Sequence, residues 1–114
     1  MTRLSIKLVA LTLIFIMPAF GVAQKRKSRG TTLIGYISDS NHGLEHPAGV
    51  DEVMCTLECA REGKFVLADR ENKVVYQLDR VGQRKAKQFA GQKVKVRGHL
   101  VGKTMRVITI SETL

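Results

Sequence analysis

Four residues inside an 18-residue window carry most of the reactive chemistry of this chain: His42, His46, Cys55 and Cys59. They form two pairs, each at i and i+4, and include both cysteines and two of the three histidines. Imidazole and thiolate are preferred ligands of zinc, and four such groups can close a tetrahedral structural site. Zinc or another transition metal is therefore the candidate cofactor. The competing expectation is a Cys55–Cys59 disulfide, since neighbouring thiols oxidise in an oxidising compartment. Helix geometry counts against it: residues four apart hold their Cβ atoms roughly 6 Å apart, whereas a disulfide requires about 3.5–4.5 Å. Redox catalysis and haem attachment are not expected, because neither CxxC nor CxxCH occurs. There is no Gly-rich phosphate loop and no serine elbow. The acids Asp39, Glu45, Asp51, Glu52, Glu58 and Glu62 show no spacing that singles out a pair for acid–base work, so an enzyme is not expected.

The elements that must bring these groups together are short and rich in β-formers. Thr31 to Asp39 reads as a first strand, in which Gly35 marks a bulge or a tight bend. Ser40 to Val50, with Asn41, Gly43, Pro47 and Gly49, is loop. Asp51 is a natural N-cap for a helix to Glu62, whose apolar face is Val53, Met54, Leu57 and Ala60, with Gly63 as its stop. Two strands follow, 64–70 and 73–79, then a short basic helix over 83–90. The last two strands are 92–101, interrupted by Gly98, and 104–111. This order predicts a mainly β fold: a small five-stranded OB-like barrel, with a loop–helix insertion after strand 1 and a short helix between strands 3 and 4. Residues 31–114 are then one small domain.

The chain has 114 residues, 19 of them Lys or Arg and 10 Asp or Glu, giving a net charge of +9. That figure mixes three segments. Met1 to Ala23 reads as a signal peptide: Arg3 and Lys7 precede an uncharged apolar run from Leu8 to Phe20, and Gly21-Val22-Ala23 supplies a small-residue cleavage site. The expected product is secreted or periplasmic. Gln24 to Gly30 is a basic leader, in which Lys25, Arg26, Lys27 and Arg29 outnumber the cations before the apolar run. The positive-inside rule makes an uncleaved N-terminal membrane anchor the alternative. The signal carries +2, the leader +4 and the domain +3.

Two function classes fit this composition. One is a non-catalytic OB-like binding or structural module whose insertion is stapled by metal or by disulfide. The other is a binder of an anionic polymer (polysaccharide, lipid surface or nucleic acid) through Lys25, Arg26, Lys27 and Arg29 together with Arg84, Lys85 and Lys87. Lys93, Lys95 and Arg97 continue that basic surface. Nucleic acid is the least expected of the three, because only Tyr36, Phe65, Tyr76 and Phe89 could supply stacking rings. An anionic envelope component is the candidate partner.

The run Gly35 to Ser40, the motif Cys55-Thr56-Leu57-Glu58-Cys59, and the stretches Lys64–Leu67, Val75–Leu78 and Phe89–Gly98 together resemble a family of small uncharacterised secreted bacterial proteins. The resemblance covers nearly all of residues 31–110 and implies an OB-like fold and export, with no activity attached. In that family's pattern a Cys follows the first strand, a His comes four residues later, and a CxxxC pair follows. His42 takes the first of these positions here; His46, Cys55 and Cys59 match the others. A Cys-to-His exchange removes a disulfide partner but keeps a metal ligand, so the departure favours metal.

Overall fold

The structure, a computed structural model, describes residues 30–113. The expected signal peptide (1–23), the anchor alternative to it, and Lys25, Arg26, Lys27 and Arg29 of the leader lie outside the described residues. The elements are β1 (Thr31–Asp39), α1 (Glu52–Glu62), β2 (Phe65–Asp69), β3 (Val74–Leu78), α2 (Arg80–Ala86) continued by a 3₁₀ turn (Lys87–Phe89), β4 (Lys93–Val101) and β5 (Thr104–Glu112). The fold is mainly β, with five strands and two helices. The strands close into a ring in the order β1-β2-β3-β5-β4, and β4 returns to pair with β1. Every pairing is antiparallel except β3 with β5.

Alternation along the strands puts one side of each inside the ring. Ile37, Leu67, Val94, Val96 and Met105 are fully buried there, joined by Leu78, Ala86 and Val107. The opposite side of β4 presents Lys93, Lys95 and Arg97 to solvent.

Glycines decide two details that the pattern alone reads differently. The register shift falls between Arg97 and Gly98, not at Gly35, which pairs regularly with Val94. Gly35 serves close approach instead: a Cβ there would sit 2.7 Å from the Ala68 carbonyl oxygen. The second helix begins at Arg80 rather than 83, because Asp79 caps it, accepting the Gly82 N–H at 2.9 Å. Gly82 looks like a breaker, yet it lies buried where a Cβ would be 2.7 Å from Val107 Cγ2, so only glycine lets α2 settle on β5.

At Gly98 a Cβ would fall onto the Arg106 carbonyl oxygen. Gly98→Ala is therefore expected to lower stability by about 2–3 kcal/mol, as overpacking of rigid backbone does. A urea unfolding midpoint equal to that of the unsubstituted chain would contradict the assigned bulge.

Candidate metal centre

Asp39 ends β1 and is fully buried. Its Oδ2 accepts the backbone N–H groups of Asn41 at 3.1 Å and His42 at 2.9 Å, which turns the chain sharply as it leaves the sheet. The Gly43 N–H donates to the Asp39 carbonyl oxygen at 2.8 Å and completes the turn. His42 is thereby folded back until its Nδ1 lies 3.0 Å from the same Oδ2. Across the gap, α1 starts on Asp51, whose carboxylate accepts from the Val53 and Met54 N–H groups.

Of the expected apolar face of α1, Leu57 and Ala60 are half-buried, but the other two positions are not. Val53 and Met54 are exposed, at 41% and 54%, and the one fully buried residue of the helix is Thr56. Cys55, Thr56 and Cys59 face the turn instead. Cys55 Sγ lies 3.6 Å from His42 Nδ1, and the two sulfurs are 4.0 Å apart. The expected Cys55–Cys59 disulfide is therefore not formed: both cysteines are free, and a bonded pair needs a separation near 2.05 Å. An i, i+4 pair on a regular helix holds its sulfurs side by side without joining them.

One ligand atom each from Asp39, His42, Cys55 and Cys59 lie within 4.8 Å of one another. In a tetrahedral zinc site with about 2.3 Å Zn–S and about 2.0–2.1 Å Zn–N bonds, the edges are about 3.8 Å for S···S and about 3.5 Å for N···S. The 4.0 Å and 3.6 Å separations are close to those edges. The group offers two soft thiolates, a borderline imidazole and a hard carboxylate, a mixture suited to zinc and its neighbours.

His46, grouped with the ligands on sequence grounds, takes another place. Its Nε2 lies 3.0 Å from Asp39 Oδ1 and 3.2 Å from Thr56 Oγ1, and its ring stacks on that of His42 with centroids 5.1 Å apart. A carboxylate only accepts, so the ring nitrogen facing it carries the proton; the same holds for His42 Nδ1 facing Oδ2, whose proton an ion in the cluster would displace. His46 thus orients the carboxylate whose other oxygen faces the cluster. The ring is 2% exposed, and its Nδ1 is buried without a partner.

Asp39 is the residue that spacing missed, having looked like one acid among several. Its signal was position: an acid at the end of a strand, three residues before His42, with a short polar turn between them. His99 stands apart from the cluster, half-buried on β4.

The protonation of the site follows from this packing. Burial would raise the Asp39 pKa, but hydrogen bonds from the His42 backbone and from both imidazoles outweigh it and hold the carboxyl below the ordinary carboxylate range. The Cys55 thiol is pushed up by burial, by the neighbouring Cys59 sulfur, and by the charges of Asp39 and Glu58. Two thiolates beside an ionised Asp39 repel one another unless a cation joins them.

His46→Ala is expected to weaken metal binding about 10–100-fold while leaving one ion per chain, the pattern of a residue that orients a ligand. Competition against a chromophoric chelator measures it. Complete loss of binding would make His46 a ligand.

Beside His42 an open cleft of about 730 Å³ runs past Ser40, Asn41, Glu45, Arg70, Lys73 and Val75. Arg70 ties the insertion to the sheet: its Nη2 donates to Glu52 of α1 at 2.9 Å, and its guanidinium lies 3.9 Å from the centre of the Tyr36 ring. The basic residues singled out on the second helix, Arg84, Lys85 and Lys87, are exposed, and Arg84 and Lys87 line a shallow pocket with Leu57 of α1. Among the described residues no helix is long and apolar enough to cross a membrane. Comparison with protein-family models, curated proteins and solved structures gives no match to this chain.

Proposed function

We propose that this chain is an exported, non-catalytic OB-like module whose loop–helix insertion is stapled to β1 by one zinc-class ion. The convergence of Asp39, His42, Cys55 and Cys59 within 4.8 Å carries this reading. The four residues come from a strand end, a turn and a helix, so one ion joins three segments. Four protein ligands fill a tetrahedral shell, the arrangement of structural sites, whereas catalytic zinc keeps a position open for water or substrate.

The need for a staple is visible in α1. It buries no large apolar side chain; besides the close approach of Val53 to Gly91, its contacts are those of the thiol pair, of Thr56 with His46 and of Glu52 with Arg70. A surface ion pair contributes only about 0–1 kcal/mol, too little to fix a helix alone. The OB-like reading is supported by the ring order, by the parallel β3–β5 closure and by α2 lying between β3 and β4. Export rests on the charged, apolar and small-residue pattern of residues 1–23.

Elemental analysis of protein purified without chelator or a His tag tests the proposal. The expected result is one zinc-class ion per chain, with both thiols shielded from a thiol reagent until a chelator is added. Metal-free protein whose two thiols react at once would reject it.

A further inference from the structure

Charge is divided along this chain in a way that its total conceals. From Thr31 to Asp79 there are nine acidic and four basic side chains; from Arg80 to Ser111 there are nine basic side chains and no acidic one. The two sets lie on different elements. The first stretch builds β1, α1 and the metal cluster, and the second builds α2, β4 and β5. All nine cations of the second stretch are exposed, and none stands in an ion pair among the described residues.

The outer face of β1, β4 and β5 shows how they are arranged. Strand register places Arg97 between Thr32 and Thr109, and Lys95 between Ile34 and Ser111. Arg106 extends the cations onto β5. Asp69 and Glu71 border the Lys93 end of this face, and Glu112 pairs with inward-facing Val94. At the other end Asp79 lines a pocket with Arg106 and Ile108, so the part of the face with no acid placed beside it is the middle, at Lys95 and Arg97. Beside Arg97, Gly30 lies near the Gly98 carbonyl. Ile34, Val101 and Ile108 belong to the same strands and are 47%, 59% and 55% exposed.

We infer that this face binds an anionic lipid surface, with Lys95, Arg97 and Arg106 over headgroup phosphates and the exposed aliphatic side chains between headgroups. Cations and isolated aliphatic side chains on one face both gain at such a surface. A nucleic acid would gain from the charge but would find no free ring to stack on, since Arg70 covers Tyr36. A polysaccharide would leave the aliphatic side chains unused. The inference is independent of the metal reading, because the two sites share no residue.

The test uses the full chain with vesicles of phosphatidylcholine alone and of phosphatidylcholine mixed with phosphatidylglycerol, at about 0.1 M salt, where surface charge still acts over about 10 Å. The unsubstituted protein is expected to prefer the mixed vesicles. The combined change Lys95→Glu, Arg97→Glu and Arg106→Glu is expected to cut that preference at least about tenfold, with metal content and urea unfolding unchanged. The pair Ile34→Asn and Ile108→Asn, which leaves every charge in place, is expected to cut it at least about threefold. An unchanged preference in either variant overturns the inference. Tighter binding to heparin or to a single-stranded oligonucleotide than to the mixed vesicles overturns it as well, in favour of a polysaccharide or nucleic-acid partner.

Discussion

Asp39→Ala, Cys55→Ser and Cys59→Ser each lower zinc affinity by more than about a hundredfold, beyond the 10–100-fold typical of a residue that merely orients a ligand. The three variants then separate in the absence of metal. Asp39, itself fully buried, accepts two backbone N–H groups and faces two imidazoles, of which His46 is almost fully buried. Removing it strands those donors, at about 1–3 kcal/mol for each buried donor left unpaired. Asp39→Ala therefore also unfolds at lower urea, whereas the two Cys→Ser variants keep the metal-free stability of the parent. Competition titration and urea unfolding in chelator measure the two effects separately.

The same geometry fixes how binding responds to pH. The Cys55 thiol is raised above its ordinary value of 9.0, so at neutral pH it holds a proton that the ion must displace. Metal binding releases protons and strengthens as pH rises. The expected slope is up to about one decade of affinity per pH unit for each proton released. Equal affinities at pH 6 and pH 8 would contradict thiolate ligation.

Chelation of the bound ion gives the second large effect. An ion held at a free concentration about a thousandfold above its dissociation constant stabilises the fold by about 4 kcal/mol. For a domain of this size that corresponds to roughly 15–30 °C in melting temperature. The loss is expected to be uneven. Amide exchange should quicken most in α1 and in the turn from Ser40 to Val50, which the ion ties down. It should change least in β4 and β5, whose inward side chains Val94, Val96 and Met105 are fully buried. Uniform quickening across the ring would show that the ion holds the whole fold rather than the insertion.

How much of this was legible in the sequence depended on the kind of force involved. The strands were readable because alternation is local: Val94 and Val96 inward against Lys93, Lys95 and Arg97 outward needs no knowledge of partners. The helix at Glu52–Glu62 was readable from its cap Asp51, but its inward face was not. Apolar spacing pointed to Val53, Met54, Leu57 and Ala60; the last two are half-buried, but Val53 and Met54 are exposed, and Cys55, Thr56 and Cys59 face the turn after β1. That choice follows from long-range contact with Asp39, His42 and His46. The start of α2 was hidden for a similar reason, since Gly82 is required by Val107, 25 positions away. In the site itself, residue types revealed His42, Cys55 and Cys59, while geometry exchanged His46 for Asp39 in the cluster.

In the proposed centre two sulfurs, one imidazole nitrogen and one carboxylate oxygen surround a single ion. X-ray absorption at the zinc edge, on protein loaded with one equivalent, tests it most directly. The expected shell has two sulfur neighbours near about 2.3 Å and two nitrogen or oxygen neighbours near about 2.0–2.2 Å. A shell of four sulfurs, or one of nitrogen and oxygen alone, would contradict it.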